Sequence, residues 1–169
     1  ESYFIAEFEH SLMMRNLHIV KLKYKNVNFV IGNSHFESIF DSDDERIKYK
    51  YHQYKQAKDI LNIFRTSLEE ELILCCDSNL TSDGLSIFNE IYSDWDDAWI
   101  YDDDGYTYDT CTNPYLKKLK KEIRFRLDRI LKYGSKTEIE TTKIMNKSTT
   151  SIKREASDHY GVITYLKLV

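Results

Sequence analysis

Residues 17–24, Leu-His-Ile-Val-Lys-Leu-Lys-Tyr, are rich in apolar side chains and run into Lys25-Asn26-Val27-Asn28, which predicts a strand closing in a hairpin turn. The partner strand, 29–35, starts apolar at Phe29-Val30-Ile31 and ends polar at Asn33-Ser34-His35, as a buried strand does when it delivers side chains to a rim. A helix follows. Ser42 and Glu45 have capping-box spacing, and Asp43 and Asp44 suit the positive end of the helix dipole. Ile47, Tyr51, Tyr54, Lys58 and Leu61, closed by Phe64, recur at a helical period, with Ala57 sharing the stripe. Lys48, Lys50, Lys55 and Asp59 fall off the stripe and are expected in solvent. The continuous apolar run 72–76 predicts a central strand buried on both faces, ending in Asp77-Ser78-Asn79. A short helix is expected over 86–92, then an acidic, aromatic, solvated loop over 94–104 anchored by Trp95 and Trp99. Ile123, Phe125 and Leu127 alternate with Arg124, Arg126 and Asp128, which predicts one strand over 123–131. One strand around Ile139, a mobile loop to 155 and a closing strand over 161–168 complete the pattern. Strands interleaved with helices, with no internal repeat, predict an α/β or α+β sheet domain over 1–169.

Composition narrows the function. The 169 residues, 20.2 kDa in mass, have the size of one domain, and 41% hydrophobic and 14% aromatic residues are enough to bury a core. Charged residues make up 31%, and no apolar run reaches the length of a membrane span, so a transmembrane protein is excluded. A net charge of −4 and a pI near 5.8 exclude a globally basic nucleic-acid binder but leave a locally basic groove open. Five Gly and one Pro leave the turns to Asn, Asp and Ser. No signal peptide is visible after Glu1, a start equally compatible with a removed leader. Cys75, Cys76 and Cys111 fit neither a disulfide framework nor a zinc spacing, so they are expected as reduced thiols of an intracellular protein, nuclear or cytoplasmic.

The candidate chemistry sits at four strand ends: Asn33-Ser34-His35 with Glu37, Asp77-Ser78-Asn79, Arg126-Asp128-Arg129 and Ser157-Asp158-His159. If these strands lie side by side, carboxylates, imidazoles and an amide meet at one rim, where they could hold a divalent metal and a phosphate. Taken singly, each has an ordinary reading: an Asp after a strand as a turn or helix cap, an Asp-His pair as a structural contact. His10, His18 and His52 lack such context and read as surface or core histidines. The basic stretch Lys117-Lys118, Lys120-Lys121, Arg124 and Arg126 is either a solvated face or a flank for a single nucleic-acid strand. Tyr106 and Tyr108 either pack or stack a base. The acidic run Asp102-Asp103-Asp104 should point away from any such groove.

The order of the four groups resembles the endonuclease/exonuclease/phosphatase superfamily: Ser34-His35-Phe36-Glu37-Ser38, Cys76-Asp77-Ser78-Asn79, Arg126-Leu127-Asp128-Arg129-Ile130 and Ser157-Asp158-His159. Within it the chain looks most like the 5′-tyrosyl-DNA phosphodiesterases, through Met13-Met14-Arg15-Asn16-Leu17, Asp97-Ala98-Trp99 and Tyr106-Thr107-Tyr108-Asp109-Thr110. The resemblance implies an α+β fold, a two-sheet sandwich of the deoxyribonuclease-I-like type. It also implies that the family's N-terminal half is not represented, because its Asn-containing strand end and its Gln-Glu motif have no counterpart. Glu7 and Glu9, in Tyr-Phe-Ile-Ala-Glu-Phe-Glu-His-Ser, do not resemble the Gln-Glu context. Cys76 stands where the family has Gly, Ala156 where Pro is frequent, Tyr108 where Trp is usual and Leu127 where Phe is usual.

Roles follow from the resemblance. Asp77 would orient or deprotonate a water and contribute to the metal site, and Asn79 would hold the water or a phosphate oxygen. Asp158 would support Mg²⁺ (or Mn²⁺), acting as a Lewis acid. His159 would donate to the phosphate, Asp128 would anchor its other nitrogen, and His35 would touch a phosphate oxygen. Arg15, Tyr108, Leu127, Arg126 and Ser157 would contact substrate. The implied substrate is nucleic acid, DNA or RNA, with a 5′-tyrosyl adduct. Rival readings are a generic nuclease or phosphatase of the superfamily, or an inactive fragment that binds nucleic acid or a partner. With the Glu ligand absent, metal affinity is expected to be weak unless another segment or chain supplies it.

Overall fold

The structure is a computed structural model that describes residues 1–38, 44–80, 84–101, 104–116, 118–145 and 157–169. The hairpin lies where the pattern predicts it. Strand β1 (Ser2–Glu7) pairs antiparallel with β2 (Asn16–Tyr24), and β2 with β3 (Val27–His35). The turn between β2 and β3 is only Lys25-Asn26, with Lys25 at φ 54°, so Val27 and Asn28 already belong to the strand. From β3 the chain crosses through α1 (Asp44–Phe64) to β4 (Glu71–Asp77), which runs parallel to β3. After α2 (Leu85–Ile91) come β5 (Asp96–Asp97), β6 (Tyr108–Asp109), β7 (Arg124–Phe125), β8 (Asp128–Tyr133), β9 (Thr137–Met145) and β10 (Gly161–Leu168). A six-stranded sheet has the order β1-β2-β3-β4-β8-β5, while β9 pairs with β10 and β6 with β7.

One face of the large sheet is covered by helix. Leu17, Ile19, Val30, Leu72, Leu74 and Leu131 pack against Tyr54, Ala57 and Leu61 of α1 and Phe88 of α2. Helix α1 sits close because Gly32 offers it no side chain: a Cβ there would lie 3.0 Å from a Leu61 methyl. On the opposite face, Tyr3, Val20, Ile31 and Ile73 are successive register partners and so form one transverse apolar row. Cover fades along it, from Ile73 at 8% exposure to Tyr3 at 56%. Ile5 on β1 and Ile163 and Tyr165 on β10 are exposed as well.

Several expectations change. The sequence pattern does not mark β1, because Tyr3-Phe4-Ile5-Ala6 carries no polar alternation to mark a face. The 123–131 strand is two strands in different sheets. Between them Leu127 turns the corner: its N–H and that of Asp128 each donate to Thr107 Oγ1 at 3.0 Å. The 94–104 stretch contains β5, paired to β8, and the strand at Ile139 extends over nine residues. Lys50 is buried rather than solvated. Ser42, Asp43, Asp102, Asp103, Lys117, Ala156 and the loop expected after Met145 lie outside the described residues. Among the described residues, no helix is long and apolar enough to cross a membrane.

Candidate active site

Three strands converge by register. His35 is opposite Asp77 on the β3–β4 ladder, and Asp77 is opposite Asp128 on the β4–β8 ladder. Directly paired residues project from the same face of a sheet, so the pairing sets three titratable side chains in a line at one sheet end. His159, just before β10, joins them. His35 Nε2 lies 3.2 Å from Asp77 Oδ2, and His159 Nδ1 lies 2.8 Å from Asp128 Oδ2 and 3.8 Å from Asp77 Oδ2. The cleft beside them, about 420 Å³, is lined by Arg15, His35, Asp77 and Asp128 among others.

The surrounding fold holds these groups from behind. Asn79 takes a left-handed φ of 47°, tolerable for Asn. Its N–H donates to Asp77 Oδ1 at 2.9 Å and its amide Nδ2 to the Phe36 carbonyl at 2.8 Å. Helix α1 clamps the same turn: Tyr54 donates to the Ser78 carbonyl, and Lys50 Nζ to the Asn79 carbonyl at 3.1 Å. Asn113 is fully buried and donates to the carbonyls of Ser157 and Asp158 at 3.2 and 3.0 Å, fixing the turn that presents His159. Asp97 receives both Arg126 (2.8 and 3.0 Å) and Arg129 (2.7 Å). The sequence by itself does not mark Lys50, Tyr54, Thr107, Asn113 or Asp97 for these roles. Thr107 and Asp97 do lie in the quoted motifs, which was the available signal.

Burial pulls the Lys50 ammonium down to about 8, partly offset by Asp77. Lys50→Met removes a charged donor from a buried carbonyl, which is expected to cost about 1–3 kcal/mol in a denaturation experiment. The pH dependence has a definite sign. Between about 8 and the ordinary 10.5 the unfolded chain holds the Lys50 proton and the folded chain does not. Stability of the natural protein therefore rises with pH over that window, relative to Lys50→Met.

The cluster is electrostatically coupled. Burial raises Asp77, and Asp128 beside it adds to the rise against the Asn79 N–H and both imidazoles. His35 is lowered by burial and by Arg15 and His159, against the pull of Asp77. His159 is raised, first by its hydrogen bond to Asp128 and then by the charges of Asp128, Asp77 and Asp158, against burial. Asp128→Asn is therefore expected to shift the His159 titration midpoint downward, read by NMR of the imidazole nitrogens. An unmoved midpoint would remove Asp128 as the anchor. Because His159 is raised in the fold, its stabilising contribution is full below about 6.5 and is lost as pH rises through its folded value.

The remaining sequence candidates are placed unevenly. Tyr108 lies edge-on to the His159 ring at 5.4 Å. Arg15 lines the cleft. Ser157 Oγ accepts from the His159 N–H at 3.0 Å, a turn contact. Leu127 is buried, and its carbonyl takes both the N–H and the Oγ–H of Ser78, so its backbone braces the Asp77 turn. The Arg126 guanidinium is held on Asp97. Lys118, Lys120, Lys121 and Arg124 are exposed.

Asp77, Asp128 and His159 offer donor atoms all within 4.8 Å of one another, and Asp158 stands outside that group. Two carboxylates, one raised by burial and then by the like charge beside it, fit a hard divalent cation, which takes oxygen ligands and keeps waters. His159 Nδ1, committed to Asp128, suits a hydrogen-bonding role better than ligation.

No protein-family model and no curated protein matches the chain. Solved structures do. Danio rerio TDP2, crystallised with a single-strand DNA product, matches with a TM-score of 0.80 at 22% identity, over 99% of this chain and 67% of that one. Truncated Caenorhabditis elegans TDP2 matches with 0.74 at 19% identity, over 100% and 66%. An endonuclease/exonuclease/phosphatase from Beutenbergia cavernae matches with 0.68 at 15% identity, over 99% and 45%. The fold is thus the deoxyribonuclease-I-like fold of the endonuclease/exonuclease/phosphatase proteins, and the chain spans from under half to about two thirds of these relatives.

Proposed function

We propose that the chain is the larger part of a Mg²⁺-dependent phosphodiesterase domain, nuclear or cytoplasmic, that hydrolyses a 5′-phosphotyrosyl link between protein and DNA or RNA during repair. The observation that carries it is the in-register His35, Asp77 and Asp128 with His159 anchored on Asp128. The motif order in the sequence and the likeness to TDP2 support the narrower substrate.

In this reading Asp77, held by the Asn79 N–H, orients the attacking water and accepts its proton. Asn79, with its amide N–H engaged by the Phe36 carbonyl, offers its amide oxygen to that water. His159 uses Nδ1 for Asp128, which leaves Nε2 to donate to a phosphate oxygen as charge builds there. Arg15 contributes positive charge at the rim, and His35, lowered by burial, offers a neutral imidazole for hydrogen bonding. Asp77, with Asp128 or Asp158, would hold Mg²⁺, which would supply Lewis-acid polarisation of the phosphodiester.

A second reading, that these residues alone only bind nucleic acid or a partner, is favoured by the apolar row left open toward Tyr3. The experiment that separates the two offers a 5′-tyrosyl oligonucleotide and the same oligonucleotide with a plain 5′-phosphate to the complete protein, with and without EDTA. EDTA-sensitive release of tyrosine only from the first supports the narrow function. Internal cleavage of both supports a generic nuclease, and binding without cleavage supports the second reading.

A further inference from the structure

Away from the cleft, Glu9, His10 and His52 form a second group whose donor atoms all lie within 4.8 Å of one another. Glu9 and His10 belong to the connection between β1 and β2, and His52 lies on α1. Glu9 Oε2 is 3.3 Å from His52 Nε2, and the rings of His10 and His52 are 5.4 Å apart. We propose that these three residues bind a transition-metal ion of the Zn²⁺ class, separate from the cation of the cleft.

The donor chemistry selects the metal. Two imidazoles and one carboxylate with an open fourth position match Zn²⁺, whereas Mg²⁺ and Ca²⁺ take oxygen donors. Zn²⁺ at about 2.1 Å from each donor needs donors roughly 3.4 Å apart. The Glu9–His52 pair already has that spacing, and the exposed side chain of His10 has the freedom to close the rest. The backbone is fixed in advance by α1: Gln56 Oε1 accepts from the Glu9 N–H at 3.1 Å, and Gln53 Nε2 donates to the His10 carbonyl at 2.8 Å. Tyr49, one helical turn before His52, stacks on the His10 ring at 5.4 Å and 18°. All three ligands are solvent-accessible, so the ion has an entry path.

A metal here would staple the connection to the helix. The next residues, Ser11 to Arg15, lead to the cleft: Ser11 Oγ donates to Glu37 Oε2 and accepts from the Arg15 N–H at 2.7 Å. Binding would therefore stiffen the segment that brings Arg15 to the rim.

The test is isothermal titration of the complete protein with Zn²⁺, in millimolar Mg²⁺ to occupy the oxygen-rich cleft and under reducing conditions. The natural protein is expected to take up one Zn²⁺ more than the His10→Ala/His52→Ala double variant, and Glu9→Gln to bind that ion about tenfold or more weakly. Co²⁺ in the same site should give a tetrahedral visible absorption that the double variant lacks. Zn²⁺ should raise the melting temperature of the natural protein and not that of the double variant. Equal Zn²⁺ uptake by the two proteins, both folded by circular dichroism, overturns the site.

Discussion

Asp77→Ala and His159→Ala, each made in a protein that carries the whole domain, are expected to lower Mg²⁺-dependent cleavage of a 5′-tyrosyl oligonucleotide by about 10³-fold or more, some 4 kcal/mol of transition-state stabilisation. The two side chains approach from different elements, Asp77 from the end of β4 and His159 from just before β10. Asp77 is the residue that both imidazoles reach, and it occupies the middle of the three-strand line. His159 is the imidazole with an anchored nitrogen. Asp128→Asn should be milder and should reduce turnover more than binding, because the imidazole keeps its place but loses the partner that sustains its charge. A single-turnover assay with folded variants reads all three. Retention of near-normal rates by Asp77→Ala would end the assignment of the cleft.

The 169 residues alone are expected to show little of that cleavage and to self-associate at micromolar concentration. The reason is the apolar row: Ile73 on β4 is buried, Ile31 and Val20 are half-buried, and Tyr3 on β1 is exposed. A sheet face of that kind with an exposed edge strand beside it favours association. Supplying an added N-terminal segment that covers β1 to β3 and brings a Glu to the cleft should restore both a monomer and EDTA-sensitive activity. Light scattering and the tyrosyl-release assay, run on the short and extended chains, measure the two effects together. Robust EDTA-sensitive cleavage by the short chain would mean that Asp77 and its neighbours need no further carboxylate.

Local pattern alone determined the hairpin of β2 and β3, the helix before β4, the apolar run of β4 and the closing β10, because a helical stripe, an apolar run bounded by polar residues and a turn signal are each set by neighbouring residues. The motif order likewise marked Asp77, Asp128 and His159 as chemistry, and their polar side chains sit where apolar runs stop. Periodicity reports that a residue faces something, not what it faces. It therefore missed Lys50, whose ammonium reaches under the helix to a carbonyl of the Asp77 turn, a contact with no helical signature. It read 123–131 as one strand because alternation continues through Leu127, while the break is made by Thr107 and Ser78 from distant segments. It gives no sign that Asp97 holds the Arg126 guanidinium or that Ser78 donates to the Leu127 carbonyl; only the packed structure shows these contacts. The alignment of His35, Asp77 and Asp128 is likewise a matter of strand register, which long-range pairing decides and no stretch of sequence carries by itself.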